Sequence, residues 1–165
     1  RILIIDFPGK RFMIAETQAE IPDEIRENSD FFNVTVRNNK LYLDSKIGKK
    51  NLTLFYDTGA SIFPIVTAKD TWLELTESRS QEGDIELNVP SWGKSAKLKG
   101  KRAKNDWIIG GMAIENPMVF YEASGLENFN FNAIGADGLL GNAVFYDRFI
   151  ITLDLKNSKL GIMEV

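Results

Sequence analysis

The sequence contains no cysteine and no histidine in 165 residues. Without cysteine there is no disulfide framework, no thiolate metal site and no thiol nucleophile. Without histidine, Ser-His-Asp catalysis is excluded and the commonest zinc ligand is missing. No apolar run approaches the roughly 18 residues of a membrane span. Charge of one sign is not in excess either. With 20 Lys+Arg against 23 Asp+Glu the net charge is −3, which gives no electrostatic case for nucleic acid or an anionic membrane. What is present, 44% hydrophobic and 26% charged residues, is the composition of one ordinary globular domain. Hydrolytic chemistry in this chain must therefore rest on carboxylates, hydroxyls or lysines.

The compartment stays open. The chain begins at Arg1 rather than methionine, so an upstream segment removed from it is expected, and a secreted, periplasmic or lipid-anchored location is compatible with that. Absence of cysteine fits reducing and oxidising environments alike.

Most of the sequence reads as short strands. Apolar or alternating runs occur at residues 2–5, 11–15, 31–36, 41–43, 52–56, 85–89, 96–101, 107–109, 118–121, 149–154 and 160–163. Residues 44–51, ending in Gly48-Lys49-Lys50-Asn51, read as a hairpin connection, and Lys156-Asn157-Ser158-Lys159 has turn composition. Helix is scarce. One short helix is expected from Pro22 through residues 23–27, a second over 68–75 with Thr67 as N-cap, and a third over 142–149. The pattern predicts an all-β barrel or sandwich. A soft boundary falls near residue 39. Residues 1–39 read as an N-terminal segment of unassigned role, with strands added to the sheet, and 40–165 as the main domain.

One hairpin can be derived in register. Placing a tight turn at Trp92-Gly93 sets Ser91 opposite Lys94. Asn88 then faces Lys97, and Glu86–Lys99 and Asp84–Lys101 become opposite-charge pairs on one face. On the other face Val89 meets Ala96, Leu87 meets Leu98 and Ile85 meets Gly100. A single register satisfies both faces. The basic cluster Lys94, Lys97, Lys99, Lys101, Arg102 and Lys104 is answered by acids on the facing strand and has no interspersed aromatic platform. It reads as a salt-paired, solvated face rather than a nucleic-acid surface.

The strongest chemical signal is Leu54-Phe55-Tyr56-Asp57-Thr58-Gly59-Ala60-Ser61, an apolar strand running into Asp-Thr-Gly, followed by the apolar Ile62-Phe63-Pro64-Ile65. A charged turn between two apolar runs is costly unless it is used. Here the sequence resembles the aspartic peptidases, in both their retropepsin-like and pepsin-like branches. A second segment, Ala136-Asp137-Gly138-Leu139-Leu140-Gly141-Asn142, resembles the hydrophobic-hydrophobic-Gly motif that supports the catalytic loop from behind in that family. Asp137 lacks an Asp-Thr-Gly context and is read as structural. The resemblance covers residues 40–165.

The resemblance implies a closed, retropepsin-like acid-protease barrel with one or two short helices and a flap hairpin. It implies Asp57 as the catalytic carboxylate, with Thr58 binding the backbone of a partner loop and Gly59 allowing two backbones to approach. Trp92 and Gly93, at the tip of the derived hairpin, would cover substrate as a flap. Two carboxylates sharing a proton are needed, and one chain supplies one Asp-Thr-Gly. Activity therefore requires a homodimer acting on an extended polypeptide, with no cofactor and no metal. Ala60 in place of the pepsin-like Ser or Thr implies a mildly acidic working range. Two other readings stand beside this one. The first is a non-catalytic peptide- or protein-binding module on the same lobe, and the second is a lobe fragment that pairs with another chain or with a missing second half.

Overall fold

The computed structural model describes residues 1–79, 82–91, 93–126 and 129–165. In chain order the strands are β1 (Ile2–Asp6), β2 (Arg11–Ala15), β3 (Asp30–Asn33), β4 (Thr35–Arg37), β5 (Lys40–Ile47), β6 (Lys50–Tyr56) and β7 (Ile65–Thr67). There follow β8 (Ile85–Ser91), β9 (Lys94–Arg102), β10 (Trp107–Ile109), β11 (Met112–Ile114), β12 (Met118–Glu122), β13 (Gly138–Leu140), β14 (Phe149–Asp154) and β15 (Lys159–Glu164). The α-helices are α1 (Asp23–Asn28) and α2 (Lys69–Thr76). Among the described residues the protein is all-β with two short α-helices, as the resemblance implies.

The chain divides into two compact units. The first comprises residues 1–43, 110–112 and 145–165, and the second 44–109 and 113–144. In the first unit five strands form one sheet in the order β2-β1-β14-β15-β3. The first two strands of the chain thus extend the hairpin made by the last two. Ile2, Ile4 and Ala15 share a buried cluster with Ile150 and Met163, and α1 adds Ile25 to it. Gly161 is required by this packing, because a Cβ there would meet the Phe31 ring at 2.6 Å. All six residues of β14 are buried, which is why its run Phe-Ile-Ile-Thr-Leu-Asp shows almost no polar alternation.

The larger sheet follows the order β11-β10-β5-β6-β13-β7-β12-β9-β8, with β4 paired to β5 off this path. The path has two ends among the described residues, so the closed barrel expected from the resemblance is replaced by an open, strongly connected sheet. β8 and β9 form the hairpin derived from sequence, with the pairs Glu86↔Lys99, Leu87↔Leu98, Val89↔Ala96 and Ser91↔Lys94. Glu86 lies 3.6 Å from both Lys97 and Lys99, an exposed pairing of small energetic weight. Beneath it Ala96 and Leu98 are fully buried beside Phe63, Val66, Val89, Phe120 and Phe131. Asp84 stands just outside β8, its N–H donating to the Gly100 carbonyl at 2.8 Å.

Three local expectations are corrected. Residues 142–149 do not form a helix: a short 3-10 turn spans Asn142–Val144 and β14 begins at Phe149. The residue capping α2 is Ala68, not Thr67. Thr67 belongs to β7, buried and paired to both Gly138 and Tyr121. The connection expected over 44–51 is tighter, because β5 runs to Ile47 and β6 starts at Lys50, with Gly48 at φ +57°.

Candidate active site

β6 delivers Asp57 at its C-terminal end. Its burial alternates, with Leu52, Leu54 and Tyr56 inside, so the apolar residues fix the strand and the turn begins where they stop. The Asp57 carbonyl accepts the Ala60 N–H at 3.0 Å, closing a turn over 57–60. Inside the turn, Asp57 Oδ1 accepts the Gly59 N–H at 2.9 Å. A Cβ on residue 59 would lie 3.2 Å from that oxygen, so the glycine keeps the carboxylate approach open. Asp57 is half-buried, and Thr58 and Gly59 are exposed.

β13 supports this turn from behind. It inserts between β6 and β7, parallel to the first and antiparallel to the second. The Asp57 N–H donates to the Leu140 carbonyl at 3.0 Å, and the Gly141 N–H to the Pro64 carbonyl at 2.7 Å. At Gly141 the backbones approach so closely that a Cβ would fall 2.3 Å from the Phe63 carbonyl oxygen and 2.8 Å from that of Ala60. The Leu139-Leu140-Gly141 segment therefore lies where the sequence reading puts it.

Asn142 completes the support and carries no role in the sequence reading. Its N–H donates to the Ala60 carbonyl and its Nδ2 to the Thr58 carbonyl, each at 2.7 Å. Its Oδ1 accepts the Tyr56 hydroxyl at 2.7 Å. One buried amide thus ties together the strand before Asp57 and the turn after it. Asp137 sits at the other end of the β6–β13 ladder. It exchanges two 2.8 Å bonds with the Thr53 backbone, using its own N–H and Oδ2.

In front of Asp57 lies a cleft of about 370 Å³, within the size range of small-ligand sites. Asp57, Gly59 and Ala60 line one side and Val89, Pro90 and Ser91 of β8 another. Phe63, Phe129 and Leu139 supply apolar surface. Phe129 stacks edge-on to Phe131 with ring centroids 6.2 Å apart. It too is absent from the sequence reading, although the Phe-Asn-Phe alternation at 129–131 was a usable signal. Pro90 is tolerated because β8 is an edge strand. Beyond Ser91 the hairpin turns at Gly93, with φ +77° and no atom within 4 Å of a built Cβ. Trp92 lies outside the described residues.

The cleft thus presents one carboxylate on a rigid turn, facing an apolar groove edged by a sheet strand. Among the described residues no group of three or more acidic side chains is arranged to hold a metal ion. No helix there is long and apolar enough to cross a membrane.

No protein-family model and no curated protein matches the sequence. Solved structures do match the fold. A retropepsin-like aspartic protease from Rickettsia conorii superposes with a TM-score of 0.56 at 16% identity, covering 80% of this chain and 89% of that one. Basic 7S globulin from soybean gives 0.53 at 9% identity, over 98% of this chain and 50% of that one. The chain thus spans about half the length of the globulin. An aspartic proteinase from Irpex lacteus gives 0.49 at 12% identity, over 99% and 56%. The fold is that of the acid proteases.

Proposed function

We propose that this chain is one half of a retropepsin-like aspartic endopeptidase, with Asp57 as its catalytic carboxylate. The observation that carries the reading is the placement of Asp57. It stands at the wall of an apolar cleft, on a turn fixed from behind by Leu140 and Asn142. Hydrolysis by carboxylates alone needs two of them, one ionised and one protonated. The active form in this reading is a homodimer whose two Asp57 turns meet at the two-fold axis. Thr58, exposed at the turn, binds the facing loop through its hydroxyl, and Gly59 lets the loops approach.

In the reaction, the ionised Asp57 takes a proton from a water molecule, whose oxygen bonds to the scissile carbonyl carbon. The protonated carboxyl of the second copy gives its proton to the carbonyl oxygen. Collapse of the tetrahedral intermediate breaks the C–N bond: the proton held by the first carboxylate leaves with the amine, while a hydroxyl of the intermediate returns a proton to the second carboxylate, which leaves a carboxylic acid product and restores the starting pair. The substrate is an extended polypeptide lying along β8, with the β8–β9 hairpin as flap and Trp92 and Gly93 at its tip. Neither metal nor cofactor enters.

A second reading is a peptide- or protein-binding module on the same fold. It is favoured by the single carboxylate per cleft, and the structures of like fold bear the names of both proteases and a globulin. A peptide library assayed from acidic to neutral pH separates the two. The peptidase reading expects endoproteolysis with a mildly acidic optimum and its loss, by at least about 100-fold, in Asp57→Asn. Binding of library peptides without cleavage, unchanged by that substitution, would establish the second.

A further inference from the structure

The register of the β8–β9 hairpin sorts its residues onto two faces, because cross-strand partners point the same way and successive residues alternate. One face carries Glu86, Asn88, Lys97 and Lys99 and is polar, with Glu86 3.6 Å from both lysines. The other carries the pairs Leu87↔Leu98 and Val89↔Ala96. There Val89, Ala96 and Leu98 are buried in the apolar cluster that holds Phe63 and Phe131. Two residues further along, this inward face ends in the pair Ser91↔Lys94. A lysine at that position breaks the apolar pattern, and the register sets it apart from Lys97 and Lys99.

The break falls at the cleft. Val89, Pro90 and Ser91 form one wall of the space in front of Asp57, and among the described residues lining that space Asp57 alone is charged. Facing Cα atoms of an antiparallel pair lie roughly 4.5–5.5 Å apart. Lys94 therefore stands one strand spacing from Ser91 on the same face, carrying its ammonium on a flexible four-carbon stem. It is exposed, and it has no ion pair among the described residues.

We propose that Lys94 sets the charge preference of the Asp57 cleft, selecting peptides with a glutamate or aspartate side chain where they pass beneath the Ser91–Lys94 end of the hairpin. The inference rests on the reading of β8 as the strand along which an extended peptide lies, and it adds the peptide's charge to that reading. In strand-like recognition the backbone bonds supply affinity and alternate side chains supply the choice of sequence. Phe63, Phe129 and Leu139 offer apolar surface to apolar side chains. A cation without a partner at the rim favours a carboxylate over an amide of the same shape and repels a basic side chain. The Ser91 hydroxyl, on the same face, is a donor for the second carboxylate oxygen.

The test uses the full-length chain and a randomised peptide library. Cleavage by the wild type should enrich Glu and Asp at one position relative to the cleaved bond. Peptides differing only by Glu or Gln at that position should differ about three- to fivefold in kcat/KM, chiefly through KM, and the gap should narrow in high salt. Lys94→Met should abolish the preference. Lys94→Glu should reverse it toward Lys and Arg, an inversion that misfolding cannot produce. Lys97→Met, on the outer face, should leave it in place. The same library captured on Asp57→Asn reads the preference without cleavage. Captured peptides enriched in Glu and Asp, with no hydrolysis by the wild type, would sink the peptidase reading and leave this proposal standing. Equal treatment of the Glu and Gln peptides, or a preference that Lys94→Glu leaves unchanged, would overturn it.

Discussion

At the scale of single residues, Asn142 is the side chain on which the Asp57 turn depends. Both ends of its amide are engaged, by the Tyr56 hydroxyl and the Thr58 carbonyl, and the residue is only 8% exposed. Asn142→Leu removes both bonds while keeping most of the volume, and should cost about 1–3 kcal/mol in urea unfolding. Tyr56→Phe removes one of the two and should cost about 1 kcal/mol. Asp57 itself was legible in the sequence, because an apolar strand that stops at Asp-Thr-Gly announces a charged turn. Asn142 was not. An asparagine after glycine looks like an ordinary turn residue, and its partners stand 84 and 86 positions away. No local pattern encodes that distance.

At the scale of elements, the β8–β9 hairpin was legible down to its register because charge and hydrophobicity alternate together over both strands. The two patterns have unequal weight. Leu98 is fully buried, so Leu98→Ala should cost about 2–5 kcal/mol, whereas Glu86→Ala, losing two exposed ion pairs, should cost less than about 1 kcal/mol. Denaturant midpoints of the two variants check the contrast. The segment 142–149 misled for a physical reason. Its apolar residues could form a helix, but Phe149 is drawn into β14 opposite Glu164. A single helical turn survives, with the Phe149 N–H on the Phe145 carbonyl at 3.0 Å. Thr67 was likewise taken from a capping role by β7. The β14–β15 hairpin carries a pH dependence that the sequence did not disclose. Burial disfavours the charge of Asp154, but hydrogen bonds from the Asn157 side chain, the Gln18 side chain and the Asn157 N–H outweigh it and hold the carboxyl below its ordinary value. A carboxyl lowered in the folded state stabilises above its unfolded value of about 4 and loses that contribution as pH falls below it. Asp154→Asn should therefore be less stable than wild type near neutrality, with the gap narrowing below about pH 4 in urea titrations run at successive pH values.

At the scale of the whole molecule, the all-β class was readable from many short apolar runs, while the open path of the larger sheet was not, since closure is decided by strand pairings far apart in sequence. The peptidase reading makes its own demand at this scale, because each active centre needs two chains. Equal amounts of wild type and Asp57→Asn, allowed to exchange subunits, leave about a quarter of the dimers with two intact carboxylates. Hydrolysis should fall to about half of its value before exchange, and a continuous peptide-cleavage assay follows that decay directly. The insertion of β13 between β6 and β7 has a further consequence, for the order in which the chain folds. Its partners lie some 70 to 85 residues earlier, so loop closure over that distance must precede its docking. Until the ribosome has released residues 138–142, β6 and β7 have no strand between them and the Asp57 turn has nothing behind it. The cleft therefore cannot form before residues 138–142 have emerged, and a nascent chain cannot present a finished Asp57 until then.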